Sequence, residues 1–164
     1  LGRLSPQKGP DLFQAVAEAV RRVRPQVRFL AFGEGEEVGR LARSGVVDLR
    51  NKIEWGARGA AFRGASALLV TSRQEPFGMV VLEAMQHRVP VLYPDSAGAA
   101  EVLESGIRID PADAQAVAAS LIGLLDDWPL WERTVEAQAR EVAAYPQREW
   151  ESRLAAVWAE LAVG

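Results

Sequence analysis

Apolar residues along this chain recur in two alternating rhythms, one of helices and one of buried strands. Gly9-Pro10 opens the first helix, with proline suited to the first helical position, and Leu12, Val16, Val20 and Val23 fall on one of its faces. Pro25 ends it. Val27 to Phe32 (VRFLAF) reads as a strand, with the loop Gly33-Glu34-Gly35-Glu36 at its carboxyl end and a short helix from about Glu37 to Arg43. Val46 to Trp55 carries a weaker strand signal, strongest at Ile53-Glu54-Trp55, and a short helix follows at Ala60 to Gly64. Ala67 to Thr71 (ALLVT) is a continuous apolar run, as expected of a strand buried on both faces. The loop Ser72 to Phe77 leads into a helix from about Gly78 to Gln86, and Val89 to Tyr93 (VPVLY) is another buried strand.

The remainder continues the alternation. Gly98 to Ser105 holds a short helix and Ile107-Arg108-Ile109 a short strand. Asp110-Pro111-Ala112-Asp113 resembles a helix N-cap with an acid in the first turn, and Val117, Leu121, Leu124 and Leu125 line the helix that follows. One more helix follows Pro129. A last one, within 147–164, carries Trp150, Leu154, Trp158 and Leu161 at steps of 4, 4 and 3 residues. That stripe fits packing on this domain's own core, with a crossover onto another domain as the alternative. Strands alternating with helices predict an α/β fold, a doubly wound parallel sheet of about six strands.

Length and composition narrow the picture. The chain has 164 residues, 49% of them apolar and 25% charged, as in one globular domain with a real core. A net charge of -3 gives no general reason to expect nucleic acid as a partner. There is no cysteine and one histidine, His87, which excludes disulfides, thiolate sites and His-rich metal sites. No apolar run approaches the roughly 20 residues of a membrane span, and no signal peptide is visible. Leu1-Gly2-Arg3-Leu4 reads as the end of a strand running into a loop, so the chain is expected to be part of a larger protein.

Three loops lie at the carboxyl ends of predicted strands, Arg3 to Gly9, Gly33 to Glu36 and Ser72 to Gly78. Ligands of open α/β sheets bind there. The strongest local signal is Glu75-Pro76-Phe77-Gly78-Met79-Val80-Val81-Leu82-Glu83. The first turn of its helix offers backbone N–H groups at Phe77, Gly78, Met79 and Val80 and the positive end of the dipole, and Gly78 lets an anion approach closely. Glu83, one further turn along, can accept hydrogen bonds from a ribose diol, and Glu75 can hold sugar hydroxyls on the other side of the phosphate. Spacing alone does not establish this, since a chain with 22 acids offers many chance pairs.

The second constellation is Gly2-Arg3-Leu4-Ser5-Pro6-Gln7-Lys8-Gly9, two cations on a turn directly before a helix. Fixed cations stabilise the charge of a departing diphosphate, Arg as a fork and Lys as a point charge. The order is neither a Walker loop nor a dinucleotide fingerprint. Gly33-Glu34-Gly35 has only the first half of the latter, and its acids would repel a phosphate. The third is Ala97-Gly98-Ala99-Ala100-Glu101, a small-residue turn at another helix start. His87, at a helix end, reads as a surface or capping residue.

These blocks together resemble the family 4 retaining glycosyltransferases of GT-B fold. The family's pattern runs GRL-x(3)-KG, a strand with a Gly-rich acidic loop, PS-x(2)-E-x-FG-x(4)-EAMA-x-G-x-PV, GG-x(2)-E and a P-x-D helix start. The chain has GRLSPQKG, FGEGE, TSRQEPFGMVVLEAMQHRVPV, GAAEV and DPAD in that order, over Leu1 to about Leu125. It departs at Thr71 in place of Pro, at Arg88 in place of a Gly where a left-handed residue often ends the helix, and at Ala99 in place of the second Gly of GG. The stretch Gly45 to Gly64 is shorter than usual.

The resemblance implies a Rossmann-like half of a GT-B fold over 1–164, the nucleotide-sugar-binding domain of a two-domain enzyme. Arg3 and Lys8 would bind the donor diphosphate, and Glu75 the donor sugar, beside the backbone of Phe77, Gly78, Met79 and Val80. These three side chains, Arg3, Lys8 and Glu75, would carry the catalytic role. Glu83 would hold the ribose, Trp55 and Gly56 would flank the base, and Gly98 and Glu101 would close the sugar and phosphate side. It implies hexosyl transfer from a UDP-, GDP- or ADP-sugar with retention, no metal and no cofactor, and an acceptor held by an N-terminal domain outside this chain. The chain alone is then expected to bind donor and turn over poorly or not at all. The expected location is cytoplasmic, with peripheral attachment of the full-length enzyme to a membrane left open. A nucleotide-sugar epimerase of GT-B-like fold, or a non-catalytic nucleotide-sugar-binding domain, would share these features. A dinucleotide-dependent oxidoreductase is disfavoured by the missing fingerprint.

Overall fold

The buried strand β4, Val91–Pro94, shows why the chain winds on both sides of its sheet. Successive side chains of a strand point to opposite faces. Val91 and Tyr93 enter one apolar cluster with Val81, Leu82, Ala84 and Met85, while Leu92 enters the other with Val16, Val20, Val117 and Leu121. Both clusters are closed by helices, so β4 has no wet face and reads as an unbroken apolar run.

The computed structural model describes residues 1–54 and 57–144. Helix α1 spans Pro10–Val23, strand β1 Phe29–Phe32, α2 Val38–Ser44, β2 Val47–Arg50 and the single turn α3 Gly59–Phe62. Then come β3 Leu68–Leu69, α4 Met79–Gln86, β4, β5 Ile107–Ile109, α5 Ala114–Asp126 and α6 Trp128–Ala143. All strand pairings among the described residues are parallel: β1 with β2, and β3-β4-β5. Helix α1 packs on α5, and α4 on α6. The α/β, Rossmann-like expectation therefore holds, with five strands among the described residues against about six expected. No helix among those residues is long and apolar enough to cross a membrane. Trp55, Gly56 and the helix expected in 147–164, with Trp150 and Trp158, lie outside the described residues.

Several boundaries differ from the sequence reading. The second strand occupies Val47–Arg50, the first part of the Val46 to Trp55 signal, and does not extend to its strongest stretch at Ile53 and Glu54. Its place is set by parallel pairing on β1, Phe29 with Val47 through Phe32 with Arg50, which outweighs local aromatic content. The run Ala67 to Thr71 contributes only Leu68–Leu69 as a strand, both half-buried, although the Val70 amide still donates to Leu92 O at 2.9 Å. Val23 is 54% exposed at the last residue of α1, off the stripe that α5 covers. The segment after Gly98 is a single 3-10 turn, Gly98–Glu101. Gly33 and Gly35 serve neighbouring backbone: a Cβ at either would overlap the carbonyl oxygen of Gly2 or Leu4.

Helix ends follow local chemistry. Asp113 caps α5 by accepting from the amides of Gln115 and Ala116 at 3.0 and 2.9 Å. Asp127 does the same for α6 through Leu130. The α4 C-terminus is a Schellman turn, with Val89 N–H donating to Ala84 O and Arg88 N–H to Met85 O, both at 3.0 Å. Arg88 adopts the left-handed conformation there, φ 58°, so the geometry that usually recruits glycine is kept with an arginine. That conformation costs a non-glycine residue roughly 1–2 kcal/mol. The exposed Arg88–Glu136 contact at 3.4 Å offsets little of it. Arg88→Gly is therefore expected to stabilise the chain by about 1 kcal/mol. A raised urea midpoint at unchanged m would show it, and a lowered midpoint would contradict it.

Candidate functional site

The loop Ser5 to Gly9 is tied to the loop Thr71 to Glu75 through both backbone and side chains. Ser5 to Lys8 has little structure of its own, one 3-10 turn at Pro6–Lys8. Thr71 Oγ1 donates to Lys8 O at 3.0 Å, and the Arg73 amide donates to Gln7 O at 2.9 Å. Arg73 also donates to Pro6 O at 2.8 Å and forks onto the Asp11 carboxylate at the start of α1. Gly9, φ 64°, makes the approach possible, because a Cβ there would overlap Thr71 O. Thr71, where the resemblance expects proline, thus supplies a clasp that proline could not.

At the centre of the two loops Lys8 Nζ meets Glu75 Oε2 at 2.6 Å, with side chains 33% and 11% exposed. Ser72 Oγ donates to the same oxygen at 2.9 Å. Glu75 Oε1 has no hydrogen-bond donor among the described residues. The Glu75 backbone is held as well: its carbonyl accepts from the Gly98 amide at 3.0 Å, and Phe77 O accepts from Ala99 N at 2.9 Å. Gly98 lies so close to Pro76 that a Cβ would overlap the Pro76 carbonyl oxygen. Ala99 is fully buried beneath this turn. The third small-residue turn therefore acts as a floor for the Glu75 loop.

Helix α4 begins directly after this loop. Gly78 is its N-cap in the left-handed region, φ 90°, with no side-chain cap. Among the described residues the amides of Gly78, Met79 and Val80 donate to no acceptor, so the first turn presents them with the positive end of the dipole. Glu83 lies one turn further. Its Oε1 accepts from Arg58 Nη1 at 2.9 Å, and its Oε2 is buried without a hydrogen-bond partner. A buried carboxylate oxygen without a donor costs on the order of 1–3 kcal/mol, which a hydroxyl donor would remove.

Two cation-paired carboxylates, Glu75 with Lys8 before α4 and Glu83 with Arg58 in its second turn, thus flank one locus at the open start of this helix.

The structure brings together Lys8, Glu75, Phe77, Gly78, Met79, Val80, Glu83 and Gly98. Arg3 is exposed beside the carboxyl end of β1, between Gly2 and Leu4, whose amides donate to Phe32 O and Glu34 O. Among the described residues it forms no ion pair. Glu101 is exposed at the end of its 3-10 turn. Trp55 and Gly56 lie outside the described residues. His87 stacks on Phe62, ring centroids 5.4 Å apart at 21°. Arg58 and Thr71 were not readable as site residues, because each acts through a partner 25 or 63 positions away, whereas Ser72, three residues from Glu75, lay within the loop already singled out. A groove of about 350 Å³ between α1 and α2, lined by Asp11, Gln14, Glu18, Arg40 and Arg43, contains none of the groups at this locus.

Comparison with known proteins gives the family and the fold. The family model for glycosyl transferases group 1 matches residues 1–127. D-inositol 3-phosphate glycosyltransferase of Segniliparus rotundus is 33% identical over 141 residues, 74% of this chain and 31% of that protein. A probable sucrose-phosphate synthase 2 of Arabidopsis thaliana is 39% identical over 62 residues, 36% of this chain and 6% of that protein. The chain thus spans less than a third of the relatives it matches. Among solved structures, the C-terminal domain of a glycosyl transferase group 1 family protein from Francisella tularensis superposes with a TM-score of 0.75 at 19% identity, covering 88% of this chain and 82% of that one. A TarM variant from S. aureus, in complex with fondaparinux, alpha-GlcNAc-glycerol and UDP, gives 0.78 at 23% identity, covering 86% and 31%.

Two expectations test the packing of the site. Gly98→Ala must push the Pro76 carbonyl aside, so proteolysis between Ser72 and Gly78 should become faster than in the wild type. Unchanged cleavage would show that the turn yields at no cost. The Asp11 carboxyl is held below its usual range, mainly by the hydrogen bond from Arg73. A depressed pKa contributes stability that is present above the unfolded value and lost as pH falls through the folded one. Asp11→Asn should thus destabilise the chain at neutral pH by at most about 1 kcal/mol, since the pair is partly exposed. The difference should vanish in acid, and urea melts from pH 7 to below the carboxylate range would show it. A constant difference would contradict the linkage.

Proposed function

This chain belongs to the glycosyl transferases group 1 family, and from that premise we propose that it is the donor-binding half of a retaining glycosyltransferase using a nucleoside diphosphate sugar. The observation that carries the reading is the open first turn of α4 between two cation-paired carboxylates, Glu75 with Lys8 before it and Glu83 with Arg58 beyond it. The diphosphate lies at that turn, against the amides of Gly78, Met79 and Val80, with Phe77 lining the same turn. Lys8 can serve it without releasing Glu75, because an ammonium has three donors. Arg3 arrives from the end of β1 as a second, exposed cation. Glu75, with Oε1 free of donors among the described residues, accepts from hydroxyls of the hexose. Glu83 Oε2 accepts from the ribose. Gly98 and Glu101 are assigned to the sugar and phosphate side, and Trp55 and Gly56, outside the described residues, to the base.

In the reaction the bond between the anomeric carbon and the donor phosphate oxygen breaks, and the acceptor oxygen bonds to that carbon on the same face. The acceptor proton passes to the departing phosphate oxygen. Negative charge grows on the diphosphate as this happens. Lys8, held by Glu75, and the α4 dipole stabilise it without reorganising, and Arg3 is the exposed cation that would swing in to join them. No metal is assigned, because these cations do that work. The acceptor is assigned to a further domain of the whole protein, so this chain alone binds donor with little or no turnover. Relatives described as a D-inositol 3-phosphate glycosyltransferase and as sucrose-phosphate synthases support sugar transfer. The UDP in the TarM variant complex supports a nucleotide donor.

Calorimetric titration with UDP, GDP, ADP and their glucose derivatives tests the assignment. Glu83→Ala should weaken every nucleotide that binds, by about tenfold for one lost charged hydrogen bond. Glu75→Gln, whose amide oxygen still accepts from Lys8 and Ser72 but whose NH2 cannot accept from a sugar hydroxyl, should spare the free nucleotide and weaken only the sugar-bearing form. Absence of binding to all six compounds would remove the reading, and equal losses in both variants would contradict the split of roles.

A further inference from the structure

We propose that Arg58 is a positioning residue for ribose recognition: it holds Glu83 so that one carboxylate oxygen is left to accept from the nucleotide's diol. The inference rests on the donor-binding reading and assigns within it a residue that the motifs do not contain. Arg58 is the N-cap residue of α3, and α3 is fixed against the far end of α4. Phe62 stacks on His87, the residue that caps α4, and Gly59 lies so close to His87 that a Cβ would stand 2.8 Å from its Cε1. That docking brings the guanidinium back along α4 by one turn, to Glu83. The contact is 2.9 Å, with side chains 28% and 17% exposed, so it is sheltered from solvent more than an ordinary surface pair.

The physical argument has two parts. A glutamate on a helix has several rotamers, and fixing one when ligand arrives costs entropy. Arg58 fixes it beforehand through Oε1, so that Oε2, which is buried without a partner, is in place for a hydroxyl donor. The second part is charge. Glu83 stands one turn from where a diphosphate would lie, and an uncompensated carboxylate there would repel it. The guanidinium, always charged, cancels that repulsion at any working pH. A purely structural ion pair would support α3 on α4 without any consequence for which ligand hydroxyls are recognised.

UDP, GDP and ADP are titrated first, and the tightest binder is then compared with its 2′,3′-dideoxy form and with inorganic pyrophosphate. The wild type is expected to favour the diol by about tenfold. Arg58→Gln should bring that ratio close to one; the uncompensated Glu83 should also weaken pyrophosphate, a loss that both nucleotide forms share and that cancels in the ratio, and Arg58→Lys should restore part of both. In a Glu83→Gln background, where the ratio is already lost, adding Arg58→Gln should change it no further. If Arg58→Gln keeps the wild-type ratio, the inference is overturned while the donor-binding reading stands. If Arg58→Gln does not fold, the Arg58→Lys ratio decides in its place, a full wild-type value at reduced stability being the structural outcome. If the wild type binds none of the three nucleotides, the donor-binding reading fails first and takes the inference with it.

Discussion

The tie between Lys8 and the Thr71–Glu75 loop is the constraint on which the rest of the site depends. Ser5 to Gly9 cannot hold a fixed shape through one 3-10 turn, so its position comes from what it touches. The Lys8 carbonyl takes the Thr71 hydroxyl and its ammonium takes Glu75. One residue thereby joins the start of α1 to the loop before α4, 67 positions apart. The pair is part-buried, and cutting it leaves one charge partly desolvated and alone. The cost falls below the roughly 3–5 kcal/mol of a fully buried pair, but it lands on the two loops that line the site.

Close backbone packing gives this tie its precision. Gly9 under Thr71 and Gly98 under Pro76 carry no chemistry, yet each lets one loop rest directly on the carbonyl of another. The result is a short helix, α4, whose two ends are both specified. Its amino end opens beside Glu75, and its carboxyl end closes in a Schellman turn under His87. Between them Glu83 is reached from outside by Arg58, carried on a single helical turn. Packing and the placing of charge therefore share contacts here. Phe62 on His87 is a packing interaction, and it also determines where the guanidinium lies.

Much of this was legible in the sequence where a signal is local. Gly9-Pro10 with Leu12, Val16 and Val20 marked α1, Asp113 marked the start of α5, and the apolar run before Asp95 marked β4. The order of GRLSPQKG, EPFGMVVLE and GAAEV singled out Lys8, Glu75, Glu83 and Gly98 as candidates for one site, and the fold sets Lys8 and Gly98 against the Glu75 loop. These readings work because helical and strand periods, caps and short turns depend on neighbours within a few residues.

What only the tertiary structure decided involves partners far apart in the chain. The strand after α2 formed at Val47–Arg50 because β1 offered its edge there, against the stronger local signal at Ile53. Gly33 and Gly35 turned out to admit the backbone of Gly2 and Leu4. Thr71 became a clasp only because Lys8 O lies above it, and Arg58 became a neighbour of Glu83 only because α3 docks on α4. The sequence by itself determined the alternation of elements and the residue types that could serve an anion and a sugar. The fold decided which cation faces which carboxylate, because a contact across 25 or 67 residues leaves no periodicity to read.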